Sequence, residues 1–348
     1  MNFSLINDKL MSFFQIDKRQ DLDVILEKLG CGFLSEKKDH QSIANRIICE
    51  KYTQMYFREC NSLFQNMKDA NIIFVVLKGA VLSSQIYHQI NVKIPRDMDI
   101  FVSINDVDLL KSIMLKNGFI QGRILDGKLI PFDRTQQIFY SRYTHQQAPW
   151  IKVTRDEVCP YICIDINTSL LWGEAEEKND LSDILTLDSI EPYKVCGVEL
   201  YKFKKEYEFI ALCLHHYKDF NSIYLLHSQG IKLKHFIDIY LYVNELSLDP
   251  QAVLKICKEY HLKKYIYYCV VAANSIFNDT KLSAFQSLFY EEKYDNVLNE
   301  YGLTDTESYM WDITLKDRIQ YGNLREYFNK KLAASEKNKI NTNEFYLH

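Results

Sequence analysis

The sequence predicts an α+β fold: a mixed β-sheet with flanking helices, preceded by N-terminal helices and followed by a C-terminal helical domain. Three observations carry this expectation. A short apolar, β-branched run ending in glycine, Asn71–Gly79 (NIIFVVLKG), lies between two segments of helical periodicity. Two later segments alternate their apolar residues at strand spacing, and beyond about Lys205 the period becomes helical. The 348 residues include only 11 Gly and 6 Pro, which argues against a turn-rich all-β chain and against long flexible linkers.

Taken in order, Ser42–Ala70 repeats apolar residues every three to four positions without Gly or Pro, so residues 1–70 read as an N-terminal helical segment. Asn71–Gly79 then reads as a buried strand, and Leu82, Ile86 and Ile90 form one helical stripe directly after the glycine. Arg96–Ile104 is a strand, followed by a helix that starts near Asn105 and closes at Gly118. Thr135–Tyr143 (TQQIFYSRY) and Cys159–Asn167 (CPYICIDIN) are further expected strands. This places a core over residues 71–204, a helical domain over 205–300, and an extension over 301–348 with a polar, frayed end. Within the helical domain, Asp249-Pro250 is an aspartate cap followed by proline at the first helical position.

Composition excludes several classes. A net charge of −4 gives no general attraction to nucleic acid or anionic membrane, and the lysine clusters in Tyr201–Tyr207 and Phe328–Lys339 fit solvated helix faces. The nine cysteines, an odd number in apolar surroundings, suit buried free thiols in a reducing cytoplasm. Cys159 and Cys163 lack a second pair at zinc-site spacing. No export signal and no run of 18 apolar residues is visible, so a cytoplasmic chain without membrane contact is expected. Oligomeric state leaves no signature.

The chemistry concentrates in Ile94–Phe101 (IPRDMDIF). Asp97 and Asp99 leave one face of an extended strand together, while Met98, Ile100 and Val102 occupy the other. Two such carboxylates repel each other, so the pair calls for a divalent cation or a wet surface. Asp165 projects likewise from a strand whose opposite face is Ile162, Ile164 and Ile166. Three carboxylates on neighbouring strands can hold two magnesium ions, which activate a hydroxyl and stabilise leaving pyrophosphate. Lys78-Gly79 at a helix start can meet phosphate with exposed amides and a positive charge. Bland readings stand beside these: a solvated strand end for the acid pair, structural pairing of Asp165 with Arg96 or Lys78, and simple neutralisation by Arg96. His215, His216 and Asp238 lie on helical stripes, where satisfied core groups are the commoner outcome, and His145 lies in a loop or strand edge near the acids.

These residues resemble the polymerase-β-like nucleotidyltransferases, and among them the uncharacterised nucleotidyltransferase family, nucleotidyltransferase family 5. The segments that carry the resemblance are VVLKGAVL, PRDMDIFV, ICIDIN, LCLHHY (Leu212–Tyr217) and KHFIDIYL (Lys234–Leu241), spanning roughly residues 42–245. The resemblance implies metal ligation by Asp97 and Asp99, and a metal or general-base role for Asp165. It implies triphosphate contact by Lys78 and Gly79, with Ser83 and Arg96 nearby. Magnesium, with manganese as the alternative, and an NTP, ATP first, are the implied cofactor and co-substrate. Three departures stand out: Ala80 follows Gly79 where Gly or Ser is usual, Arg96 adjoins the acids where an arginine several residues earlier is usual, and Asn167 stands where a histidine is frequent.

The expected function is magnesium-dependent transfer of a nucleoside monophosphate from an NTP to an acceptor hydroxyl, releasing pyrophosphate. The acceptor, in a pocket supplied by the helical half, is a small molecule, a peptide or a protein. A toxin-like enzyme modifying tRNA is the first alternative, disfavoured by the net acidity. A silent nucleotide-binding module is the second, disfavoured by the presence of all three acids. A ribonuclease built on Arg-x4–6-His in the helical half is disfavoured, because no arginine lies between Arg155 and Arg318.

Overall fold

The computed structural model describes residues 3–35, 40–90, 92–143, 146–172, 181–303, 309–332 and 337; His145 and nearly all of the polar tail lie outside them. The chain divides into two compact units, residues 37–211 and residues 1–36 with 212–348. The N-terminal helical segment is therefore shared between the two.

The first unit is built on a six-stranded mixed sheet. Its strands are β1 (Phe74–Leu77), β2 (Met98–Val102), β3 (Ile120–Leu125), β4 (Lys128–Pro131), β5 (Trp150–Val153) and β6 (Tyr161–Asn167). They lie in the order β1-β2-β6-β5-β3-β4. Only β2 and β6 run parallel, with Asp99 paired to Asp165; every other neighbour is antiparallel.

Side-chain alternation sorts the sheet into two faces. Phe74, Val76, Met98, Ile100, Val102, Ile162, Ile164 and Ile166 join one buried cluster with residues of α3 (His40–Asp69) and α5 (Val107–Lys116). Tyr56, Phe57, Cys60, Leu63, Phe64 and Met67 supply the α3 stripe, at the helical spacing the sequence shows. Burying one such Leu or Phe contributes about 1.5–3 kcal/mol, so this face fixes the register. A slip by one residue would turn the acids into the core.

An antiparallel hairpin of β7 (Ile190–Val195) and β8 (Val198–Phe203) packs along β1, with the Tyr201 ring 5.7 Å from Phe74 and Phe203 6.1 Å from Phe101. The short α4 (Gly79–Ile86) is tied to this region: Ser84 shares a 2.8 Å hydrogen bond with the Tyr193 hydroxyl, and Gln85 donates to Glu208 at 2.9 Å.

Two local expectations need correction. Thr135–Tyr143 is not a strand but belongs to a helix, α6 (Arg134–Tyr143). The cause is a reciprocal cap, in which the Gln136 amide donates to the Asp133 carboxylate and the Asp133 amide to the Gln136 side chain. The helix expected from Asn105 begins a little later, at Val107. A short 3-10 turn precedes it, capped by the Ser103 hydroxyl.

The second unit is helical: α1 (Ser4–Phe14) and α2 (Arg19–Lys28) belong with the helices that follow Leu212. Asp249 accepts from the Gln251 amide ahead of Pro250, as its cap sequence predicts. All nine cysteines are free, seven of them buried. Among the described residues no helix is long and apolar enough to cross a membrane.

Candidate active site

The sheet face turned away from α3 carries the acids. Because β2 and β6 are parallel and Asp99 pairs with Asp165, the two side chains leave the same face of adjacent strands. Asp97 stands two residues before Asp99, just ahead of β2. The Cys163 thiol, two residues before Asp165, reports their convergence. Burial pushes it up, and the charges of Asp165, Asp97 and Asp99 all push it further.

Asp99 is 5 % exposed and ion-paired to the Lys78 ammonium at 3.0 Å. The pairing follows from the topology, since Leu77 at the end of β1 lies opposite Asp99 and Lys78 comes next. Lys78 adopts φ +43° and Gly79 φ +58°. Two successive residues with positive φ turn the chain abruptly from strand into helix. For lysine this conformation costs about 1–2 kcal/mol, a strain of the kind that collects at functional sites. A Cβ added at Gly79 would meet nothing within 4 Å, so the space over the first turn of α4 is open.

Asp97 is exposed, yet protein crowding around its carboxyl and the Asp99 charge both push its pKa up, with Lys78 and Lys93 pulling it back. Water reaching the carboxyl weakens the first effect, but the Asp99 charge acts in the same direction. Tyr56, a core residue of α3, shares hydrogen bonds with both the amide and the carbonyl of Cys163 and anchors β6 beside Asp97.

The residues expected from sequence divide accordingly. Lys78, Gly79, Asp97, Asp99 and Asp165 converge at one end of the sheet. Ser83 lies one turn after Gly79 but is buried within α4, and Arg96 is exposed ahead of the acids. His215, His216 and Asp238 belong to the helical unit.

Two residues join the acids without having been singled out for it. Asn167, buried at 4 % exposure, donates to Asp99 at 3.4 Å, so the departure from histidine leaves a hydrogen-bonding group beside the acid. Tyr140 on α6 is pushed up by burial and next by the Asp165 charge, which places its hydroxyl near that carboxylate. The signal for Tyr140 was the Asp133/Gln136 cap, which turns its segment into a helix.

The three carboxylates form an oxygen-only donor set of the type that hard divalent cations require. With an open helix start alongside, they fit the metal and phosphate groups that the resemblance implies.

Residues 39–278 match the model of the family described as uncharacterised nucleotidyltransferase, and the chain belongs to that family. Membership supports a general role in nucleotidyl transfer. Among solved structures, the chain is similar to an antigenic nucleotidyltransferase-like protein from Paracoccidioides brasiliensis. The identity is 13 %, over 61 % of this chain and 91 % of that one, with a TM-score of 0.34. No curated protein matches the chain.

Proposed function

We propose that the protein is a magnesium-dependent enzyme that transfers a nucleoside monophosphate from an NTP, ATP first, to an acceptor hydroxyl. The observation that carries this reading is the pairing of Asp99 with Asp165 on parallel neighbours, beside the strained Lys78-Gly79 elbow. Asp97, Asp99 and Asp165 would hold the cation, which when bound neutralises phosphate charge and lowers the pKa of a coordinated hydroxyl. The Lys78 ammonium and the exposed amides that open α4 would orient the triphosphate. Asp165 accepts the acceptor's proton as its oxygen forms a bond to the α-phosphorus. The bond from that phosphorus to the bridging oxygen breaks, and pyrophosphate leaves with the electron pair.

The test is to incubate the full chain, magnesium and each α-labelled NTP with a cell extract, beside an Asp97→Asn/Asp99→Asn control. Label entering an acceptor only with the acids intact supports the reading, and equal labelling by the control overturns it. A small-molecule, peptide or protein acceptor is preferred to tRNA on charge grounds. Transfer to bulk tRNA that falls steeply with salt would reverse that preference.

Two expected results follow from the site. The Gly79→Ala substitution places a side chain at φ +58°, which costs about 1–2 kcal/mol of stability. Since the added Cβ meets no protein atom, a loss of NTP affinity beyond that cost would come from the ligand's space. Thermal denaturation and NTP titration measure the two separately, and unchanged affinity would remove Gly79 from the phosphate site. The second result concerns pH. Asp97 must lose its proton to hold a cation, and its raised pKa extends the acidic limb above the ordinary carboxylate range. Magnesium affinity, measured by calorimetry, is therefore expected to climb with pH over a window that lies higher than an isolated aspartate would give.

A further inference from the structure

The helical unit brings together histidines and carboxylates of the LCLHHY and KHFIDIYL segments, to which the proposed transfer step assigns no role. His215 and Asp219 occupy one stripe of α7 (Lys205–Asn221), with His216 adjacent, and His235 and Asp238 lie on α9 (Leu233–Glu245) beyond the short α8 (Ile223–Gln229). His216 and His235 are buried at 3 % and 8 % exposure, with their rings stacked at 4.1 Å. His215 lies 5.6 Å from the first ring and 6.1 Å from the second, and keeps some access to solvent. One ligand nitrogen from each of the three histidines lies within 4.8 Å of the others.

The carboxylates face this group at informative distances. Asp219 Oδ2 is 3.6 Å from Nε2 of both His215 and His235, and Asp238 Oδ2 is 3.8 Å from Nε2 of His216. These separations are longer than hydrogen bonds. They are close to the spacing of two ligands on one tetrahedral zinc, about 3.4 Å when zinc–nitrogen bonds are about 2.0–2.1 Å long. Asp238 is engaged elsewhere, because the Lys234 ammonium donates to both of its oxygens at 2.8 and 2.7 Å. It therefore stays beside His216 as a carboxylate already neutralised by Lys234. Three neutral imidazoles and one carboxylate give a net charge of −1 facing a dication, and nitrogen donors select a borderline transition metal over magnesium.

We propose that His215, His216, His235 and Asp219 form a zinc site joining α7 to α9. Binding narrows the present 4.8 Å span of the imidazole ligand atoms by up to about 1.4 Å, to tetrahedral spacing, a movement within reach of side-chain rotation.

The site is tested in the full chain carrying Asp97→Asn/Asp99→Asn, so that zinc held by the sheet acids does not contribute. After chelation and dialysis, zinc is titrated by calorimetry, bound metal is counted by mass spectrometry, and cobalt is added as a spectroscopic probe. The expected result is one zinc per chain, a raised thermal midpoint, and the visible bands of tetrahedral cobalt. His215→Gln and Asp219→Asn change positions that are not fully buried, so both variants are expected to fold, and each is expected to weaken zinc at least about tenfold. No stoichiometric zinc, or zinc bound equally by both variants, overturns the proposal and leaves the cluster as a polar network between two helices.

Discussion

The Asp97→Asn/Asp99→Asn double variant is expected to lose nucleotidyl transfer by at least about 10³-fold, corresponding to roughly 4 kcal/mol of transition-state stabilisation, while its fold stands. The stability side follows from charge. Protein crowding and the Asp99 charge raise the pKa of Asp97 above its ordinary 3.8. Between 3.8 and the raised value the folded chain binds more protons than the unfolded chain, so stability falls as pH rises through that window. Above it, the Asp97 charge opposes folding. Asp97→Asn alone is therefore expected to match or exceed the parent in thermal midpoint at neutral pH, and its advantage should shrink on acidification. A variant that is inactive and markedly less stable at neutral pH would show that the acids serve the fold, not catalysis. Magnesium completes the test, raising the midpoint of the parent and not that of the double variant.

The face assignment that underlies this prediction was legible in the sequence. Alternation in Tyr161–Asn167, and the spacing of Met98, Ile100 and Val102 against Asp97 and Asp99, place the isoleucines in the core and the acids opposite, because a strand has a period of two whatever its neighbours do. Strand partners were not legible in the same way. That β2 lies between β1 and β6 is set by packing across residues far apart in sequence, and no local pattern encodes it.

Other features were encoded but outweighed. Asp126-Gly127 and Cys196-Gly197 both take positive φ between paired strands, and Asp-Gly is a strong hairpin signal. The weak apolar patterns around them hid both hairpins. In Thr135–Tyr143, β-branched and aromatic residues favour a strand, yet Asp133 and Gln136 satisfy the amides that open a helix, and the cap prevails. The histidine cluster shows the opposite limit. Each histidine alone suits a core stripe, and only the packing of α7 on α9 reveals three imidazoles within one ligand's reach.

Lys78→Met is expected to separate the two tasks of its side chain. Asp99 is almost fully buried, and its described partners are Lys78 at 3.0 Å and the Asn167 amide at 3.4 Å. Removing one member of a buried ion pair typically costs about 3–5 kcal/mol, because the other charge stays in a poor solvent. Lys78 is 29 % exposed, so water can follow the lost ammonium to the carboxylate, and a loss of about 1–3 kcal/mol is expected instead. Asp99→Asn in the Lys78→Met background removes the stranded charge and should recover most of that loss, giving a coupling energy of similar size in a double-mutant cycle read by denaturant unfolding. Activity should follow a different rule. The double variant regains stability but not transfer, since it lacks both the charge facing the triphosphate and a carboxylate of the cation site. Lys78→Arg keeps the charge and should bind NTP better than Lys78→Met does, although the fork of a guanidinium fits the strained elbow less well. If Lys78→Met bound NTP as tightly as the parent, the lysine would be a structural counterion to Asp99 alone, and the phosphate would have to be held by the amides of the α4 turn.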